Sequence, residues 1–404
     1  MELYVFNPDA DLALADNEEN YMAPVAARGM AQDLALLPVW YARPGSAVLA
    51  ASAYNADFLK RMQQVFSLQV QQITEPELPD YAEAQVIPWG WNPSFRKRML
   101  KGGIAEHALP SASSLQTYRE LSSRKRALEV LDTFQGMEAC CGKCDCLQDL
   151  DACRERVEQH GNYVFKAPWS GSGKGLLWCY GHFPKSAANW CGHVLKEQGC
   201  LIGSAIYNKV EDFAMEFYSD GQGTVRFAGY SLFTTNGKGA YLGNVLLPDN
   251  AIEQQLAEYV PLSALTQIRE HLQSRLTVLY GTLYTGYLGV DMMICKCAGD
   301  AGYAVHPCVE INLRMNMGVV ARLFYDRFVA AGSTGHFFVE YYSSNEELQA
   351  KHAQDSLNTL VVEAGRLVSG YIPLVPVTKN SAYRAYALLL PCTRCHLEQH
   401  KMPS

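Results

Sequence analysis

Three short apolar runs, at 3–6, 46–51 and 68–73, alternate with helix-patterned stretches at 24–37, 56–66 and 93–100. This alternation constrains the chain more than any other feature. Consecutive strands separated by helices need long crossovers, so they pair parallel in a sheet covered on both faces. Pro24 stands where the first turn of a helix tolerates proline. The turn after the first run reads Asn7-Pro8-Asp9-Ala10-Asp11 and carries no glycine. A dinucleotide-phosphate turn needs glycine there for close backbone approach. Residues 1–105 therefore read as a Rossmann-like α/β layer without the usual ligand site of that fold.

The remaining chain changes character. A helix is expected after Ser122 or Ser123, either of which can cap it, with Ala127, Leu128, Leu131 and Phe134 on one face. Strands are expected at 163–167, 201–207, 212–218, 225–233 and 241–247. Helices are expected at 186–196, 261–284, 319–331 and 344–368, and a hairpin at 286–312. The mixture is α/β followed by α+β. With 404 residues, and roughly 150 per domain, two or three domains are expected.

Composition matters here mainly for what it excludes. Lys plus Arg number 34 against 41 Asp plus Glu, a net charge of −7. No broad basic surface awaits nucleic acid or an anionic membrane. No apolar run reaches the ~18 residues of a membrane span. The opening turns acidic at once and lacks a basic stretch, so a signal peptide is not expected. Thirteen cysteines without regular spacing argue for free thiols in a cytoplasmic, reducing setting.

Two segments carry chemistry. In the first, the run Tyr163-Val164-Phe165 ends in Lys166, and Ala167-Pro168-Trp169-Ser170-Gly171-Ser172-Gly173-Lys174-Gly175 follows. Glycines let backbone N–H groups approach phosphate oxygens, and lysines supply charge. A P-loop is excluded, because Pro168 stands where its first glycine belongs and Gly175 where its Ser or Thr belongs. A solvated turn is the other reading, but a lysine at a strand end lies where ligands gather in open α/β sheets.

In the second, Gly286 to Cys295 and Tyr303 to Asn312 form the expected hairpin. With a four-residue turn at 299–302, Asp291 falls opposite Glu310, and Asn312 shares the face of Glu310. Val290, Met292, Val309 and Ile311 then point to a core. Opposed carboxylates repel and need a proton, a basic side chain or a cation between them. Carboxylate and amide oxygens are hard ligands suited to Mg²⁺ or Mn²⁺. Arg314 follows closely, free to clamp a phosphoryl or carboxylate group or to pair with Glu310 or Asp291.

Lys166 with its glycine loop, and then Asp291 and Glu310-Ile311-Asn312-Leu313-Arg314, together resemble the ATP-grasp superfamily of carboxylate–amine ligases over residues 106–332. Leu313 stands where the family usually has proline. The resemblance implies a two-subdomain ATP-grasp fold, at 106–200 and 201–345, followed by an extension of helix and strand at 346–404. It implies ATP phosphates held by Lys125, Lys166, Ser170, Gly171, Ser172, Gly173, Lys174 and Gly175. It implies an adenine–ribose hinge at Ile206 and Tyr207 with Glu211 or Asp212. Asp291, Glu310 and Asn312 would ligate Mg²⁺ (or Mn²⁺), with Lys166 and Arg314 in catalytic roles. The activity implied is ATP-dependent joining of a carboxylate to an amine or thiol through an acyl phosphate, with small-molecule substrates. A small-molecule kinase, or a nucleotide-binding regulatory module, is the alternative.

Other candidates have a plainer reading beside the functional one. Lys238, Tyr241 and Asn244 face either an acceptor or an ordinary hairpin, and Arg226 is similar. Cys141 and Cys144 with Cys392 and Cys395 make either a zinc site, with His396 competing, or free thiols. Trp40, Tyr41, Trp89 and Trp91 line either a cleft or a core. The 7–11 turn either binds substrate or is simply capped.

Overall fold

The computed structural model describes residues 1–171, 175–236, 241–297, 299 and 302–390. Strands β1 (Glu2–Val5), β2 (Ser46–Leu49), β3 (Val70–Ile73) and β4 (Gln85–Pro88) pair in the order β3-β2-β1-β4, all parallel. Leu3, Val5, Ala47 and Val48 are buried, as parallel strands covered on both faces require. Helices α1 (Ala10–Asp16), α2 (Val25–Asp33) and α3 (Ala53–Phe66) lie between the strands, and α4 (Pro93–Lys101) follows β4. The helix expected over 24–37 stops at Asp33, ahead of Pro38, which sits in a short 3₁₀ turn, Leu37–Trp40. A residue before proline is pushed out of the α region.

Trp40 in that turn is fully buried edge-on to Phe66, Phe324 and Phe328, and its indole N–H donates to the Leu374 carbonyl at 2.6 Å. It is core, and it fastens the parallel sheet to a distant part of the chain. Tyr41 and Trp89 are buried too.

Next come α5 (Ala112–Leu121) and α6 (Arg124–Asp132), the latter capped by Ser123, whose hydroxyl accepts from Lys125 N. A small antiparallel sheet follows, with β5 (Asp145–Leu147), β6 (Asn162–Lys166), β7 (Leu176–Tyr180) and β8 (Leu201–Ala205) in the order β5-β8-β6-β7. Tyr163 and Phe165 pack beneath α7 (Leu150–His160) and α8 (Lys185–Gln198).

The largest sheet is antiparallel. It contains β9 (Lys209–Asp220), β10 (Val225–Thr235), β11 (Tyr241–Leu246), β12 (Thr285–Lys296), β13 (Tyr303–Asn312), β14 (Thr334–Tyr341), β15 (Val361–Glu363), β16 (Arg366–Pro373) and β17 (Tyr383–Leu390). The order is β13-β12-β9-β10-β11-β14-β17-β16-β15. On one face Phe213, Met215, Val290 and Met292 pack with Ile252 of α9 (Asp249–Leu256) and with Ile268, Leu272 and Leu276 of α10 (Leu262–Tyr280). On the other face lies α11 (Met317–Phe328), in one cluster with Trp40.

The helix expected over 344–368 ends early: α12 spans Asn345–Asp355, and β15 and β16 replace the rest. Glu363 pairs with Arg366 across Ala364-Gly365, both at positive φ, the geometry of a tight hairpin turn. No helix among the described residues is long and apolar enough to cross a membrane.

Candidate functional site

The hairpin β12–β13 sets the centre. Asp291 stands directly opposite Glu310, and Gly289 opposite Asn312. The route to that register differs from the simple turn expected. The connection is 297–302, since Lys296 pairs with Tyr303, and a bulge then restores the offset: Met293 faces His306 while Asp291 faces Glu310. Pro307 lies in the bulged stretch, where a residue without N–H is tolerated in a ladder. The Asn312 amide donates to Asp291 Oδ2 at 3.1 Å.

A third carboxylate lies near Asp291. Glu216 of β9 sits opposite Gly289 and is buried. The Asn316 amide donates to it at 2.9 Å. A Cβ at Gly289 or Gly318 would collide with its oxygens, so both glycines make room for this acid. Alternation along β9 carries the signal. Phe213, Met215 and Phe217 are buried in the core, so Asp212 and Glu216 face the other way. Burial first, then the charge of Glu310, pushes the Asp291 carboxyl up to about 7. Burial pushes Glu216 up to about 8, with the Asn316 bond opposing and Asp291 adding. Crowded buried acids of this kind lack positive charge.

Cations approach from two elements. Lys166 ends β6. Burial drives its ammonium pKa down and Arg124 adds to this, while Glu310 works against it. Arg124, at the start of α6, is 7% exposed and donates to Glu310 Oε1 at 2.7 Å and to the Ala167 carbonyl at 2.7 Å. It also bonds the Ser170 hydroxyl. Arg124 thus ties the loop after β6 to the acidic hairpin. Its neighbour Lys125, the expected phosphate lysine, is exposed and lies beside Cys200. The one-residue difference decides which side chain turns inward.

The loop itself is described at Ser170, Gly171 and Gly175; Ser172, Gly173 and Lys174 lie outside the described residues. The Gly175 carbonyl accepts from Ala167 N at 2.9 Å. A Cβ on Gly171 would fall 2.9 Å from Asp11 Oδ2. Asp11 comes from the 7–11 turn and is bound by Arg314, whose Nε lies 2.9 Å from each carboxylate oxygen. Arg314 is therefore engaged with Asp11, not with Glu310 or Asp291. Asp11, Tyr118, Ser170, Glu310, Asn312 and Arg314 line one small pocket.

At the expected hinge, Tyr207 accepts from Lys143 N at 2.8 Å and lies edge-on to the buried His306, ring centres 5.3 Å apart. Burial, then Lys166, lowers the His306 pKa to about 3. Ile206 N donates to the Asn162 carbonyl at 3.2 Å. Asp212 is bound by Lys209 and by the Thr235 hydroxyl, and burial with Asp212 raises Glu211.

The remaining candidates divide. Asn244 is buried and donates to Ser231 Oγ at 2.6 Å, with Tyr241 bonded to it, so both serve packing. Arg226 is exposed. Cys141 and Cys144 are free cysteines. Lys238, Cys392, Cys395 and His396 lie outside the described residues.

Among the described residues no three His, Cys, Asp or Glu side chains are grouped to hold a metal ion, and the oxygen donors at the centre are the Asp291–Glu310 pair and the Asn312 amide. Buried acids short of positive charge face a lysine that makes no ion pair or hydrogen bond among the described residues. Hard oxygen donors of this set suit Mg²⁺.

Comparison with solved structures defines the class of fold. Biotin carboxylase from Campylobacter jejuni, solved as a β,γ-ATP complex, aligns over 96% of this chain and 87% of its own, with a TM-score of 0.52 at 12% identity. N5-carboxyaminoimidazole synthetase from Staphylococcus aureus, complexed with ADP, aligns over 96% of this chain and 93% of its own, with a TM-score of 0.46 at 9% identity. The first alignment carries the conclusion: the chain has the mixed α/β ATP-grasp fold. No family model and no curated protein matches the sequence.

Proposed function

We propose that the protein is an ATP- and Mg²⁺-dependent ligase that joins a carboxylate to an amine (or thiol), acting on small molecules in the cytoplasm. The observation that carries this reading is the meeting of two opposite charge sets. Arg124 and Lys166 approach from α6 and β6, and Glu216, Asp291 and Glu310 from the large sheet. In this reading residues 1–105, 106–200, 201–345 and 346–404 are the successive units of the chain.

Asp291, Glu310 and Asn312 would hold Mg²⁺, with Glu216 beside them. The ion supplies charge neutralisation at phosphate oxygens. Lys166, the loop 170–175 and Arg124 (in place of the expected Lys125) grip the phosphates. Ile206, Tyr207, Glu211 and Asp212 flank the base and ribose. The carboxylate substrate takes the γ-phosphoryl group to give an acyl phosphate, and the amine nitrogen then attacks the acyl carbon and expels phosphate. The residues contribute positioning and charge, the main protein contribution in phosphoryl transfer. Arg314, held by Asp11, lines the pocket where the acyl group forms.

The test is release of ADP from Mg-ATP across pools of amino acids, other carboxylates and small peptides, with the product identified as amide or phosphoester. Lys166→Ala and Glu310→Ala are expected to cut turnover by about 10²-fold or more while the protein stays folded. Full activity in either variant sinks the assignment, and a phosphoester product converts the ligase into a kinase.

A further inference from the structure

A second cavity lies across the 7–11 turn from Arg314. It is a cleft of about 900 Å³, bounded by that turn, by α4 and by α2. It opens at the carboxyl ends of β1 and β4, which flank the point where strand order reverses, the place where open α/β sheets bind ligands. Asn7 braces the mouth, its amide donating to the Gly90 carbonyl at 2.8 Å and accepting from Trp89 N at 2.9 Å.

The charges in the cleft are unevenly satisfied. Lys97 is bonded to Asn20 at 2.8 Å, and Arg98 to Glu75. Arg28 on α2 and Lys101 at the end of α4 make no side-chain hydrogen bond or ion pair among the described residues. Asp9, half-buried at the near end, makes no ion pair among them either. The hydroxyl of Tyr21 is buried and has no hydrogen-bond partner among the described residues. Asp9 feels the charge of Arg98, in the last turn of α4, the turn that ends at Lys101. The second wall is thin: α2 has no buried residue and turns Ala27 and Ala31 toward the space.

We propose that this cleft binds the amine substrate, an amino-acid-type zwitterion whose carboxylate meets Arg28 and Lys101 and whose ammonium meets Asp9. The use of that ligand rests on the ligase reading; its binding does not. The placement sets the amino end against the turn that carries both Asp9 and Asp11, and hence beside the pocket of Arg314. The small side chains of Ala27 and Ala31 keep the volume open for the body of the ligand.

The test uses the full chain without nucleotide. Pools of the twenty L-amino acids and of dipeptides are screened by thermal shift, and single members are titrated by calorimetry, with acetate and methylamine as one-charge probes. The expected result is saturable binding of at least one zwitterion, with neither acetate nor methylamine matching it. Arg28→Ala with Lys101→Ala, and separately Asp9→Asn, weaken that binding at least tenfold. Ala27→Phe, which fills the cleft without changing charge, abolishes it. Failure of every pool, equal binding of acetate, or unchanged affinity in these surface variants overturns the proposal. Mg-ATP is titrated alongside: its absence of heat in the unaltered protein overturns the ligase reading and leaves the cleft result standing.

Discussion

The large sheet carries two charge clusters on either side of β9, β10 and β11, and they are built on opposite plans. Near β14 and β17, Arg384 is fully buried and reaches Glu340 at 2.7 Å and Asp355 at 2.9 Å. Tyr342 and Tyr386 donate to Glu340 at 2.7 and 3.0 Å, and the Arg384 guanidinium lies 4.2 Å from the Tyr386 ring centre. Each charge there has its partner inside the protein. Near β12 and β13, Asp291 feels the charge of Glu310 and Glu216 feels that of Asp291, and the Lys166 ammonium makes no ion pair or hydrogen bond among the described residues. A closed set of charges holds a fold together; an open set waits for charge from outside. The contrast explains why burial alone does not mark a site, whereas imbalance does.

The largest expected effect breaks the closed cluster. Arg384→Ala leaves the partly exposed Glu340 and Asp355 without their buried cation, and about 3 kcal/mol of stability should be lost, read from the urea midpoint. Turnover per folded molecule should hold. The open cluster should behave in reverse. Lys166→Ala removes a half-buried cation that has no ion pair among the described residues, so stability should hold or rise slightly, while kcat/KM for Mg-ATP falls about 10²–10³-fold, the scale for losing one preorganised electrostatic contact. If Lys166→Ala unfolds the protein and Arg384→Ala spares it, the comparison is wrong.

The two ends also differed in how readable they were. The Asp291–Glu310 pairing follows from alternation and a turn, yet it survives only because the bulge at Pro307 offsets a longer connection. Bulge position depends on two strands at once, and no single-strand pattern displays it. Glu216 was readable from the alternation of Phe213, Met215 and Phe217, a pattern that marked the strand without drawing attention to its other face. Arg124 against Lys125 turns on about 100° of helix rotation, which a cap uncertain by one residue leaves open. The Ala364-Gly365 turn had a local signal inside what looked like helix. The pairing of Asp11 with Arg314 spans 303 residues and has no local signal at all.

A pH titration of the metal-free protein sharpens the contrast at smaller amplitude. Asp291 and Glu216 have folded-state pKa values raised to about 7 and about 8. Their neutral forms are therefore favoured by folding. The stability this gives is complete below the unfolded values near 4, and is lost as pH rises through 7 to 8. The midpoint temperature should fall across pH 5 to 8.5. Glu216→Gln should remove much of that slope. Added Mg-ATP should flatten it, since a bound cation takes over the role of the protons. A slope unchanged by both would return these acids to the closed class.

The smallest effect separates two adjacent cations. Arg124 is enclosed and joins Glu310 to the loop at Ala167 and Ser170, whereas Lys125 is exposed beside Cys200. Removing Lys125 takes away a solvated charge at the helix start. Lys125→Ala should therefore shift stability by no more than about 0.5 kcal/mol, as for surface substitutions generally. It should also leave KM for Mg-ATP within threefold. Arg124→Lys keeps the charge but gives up the planar fork that reaches two carbonyl-side partners and Glu310 together, so KM should rise while the pH slope of the free protein steepens. The order matters more than the amounts. If Lys125→Ala raises KM further than Arg124→Lys does, the phosphate cation is the one the helix turns outward here, and α6 must rotate when nucleotide binds.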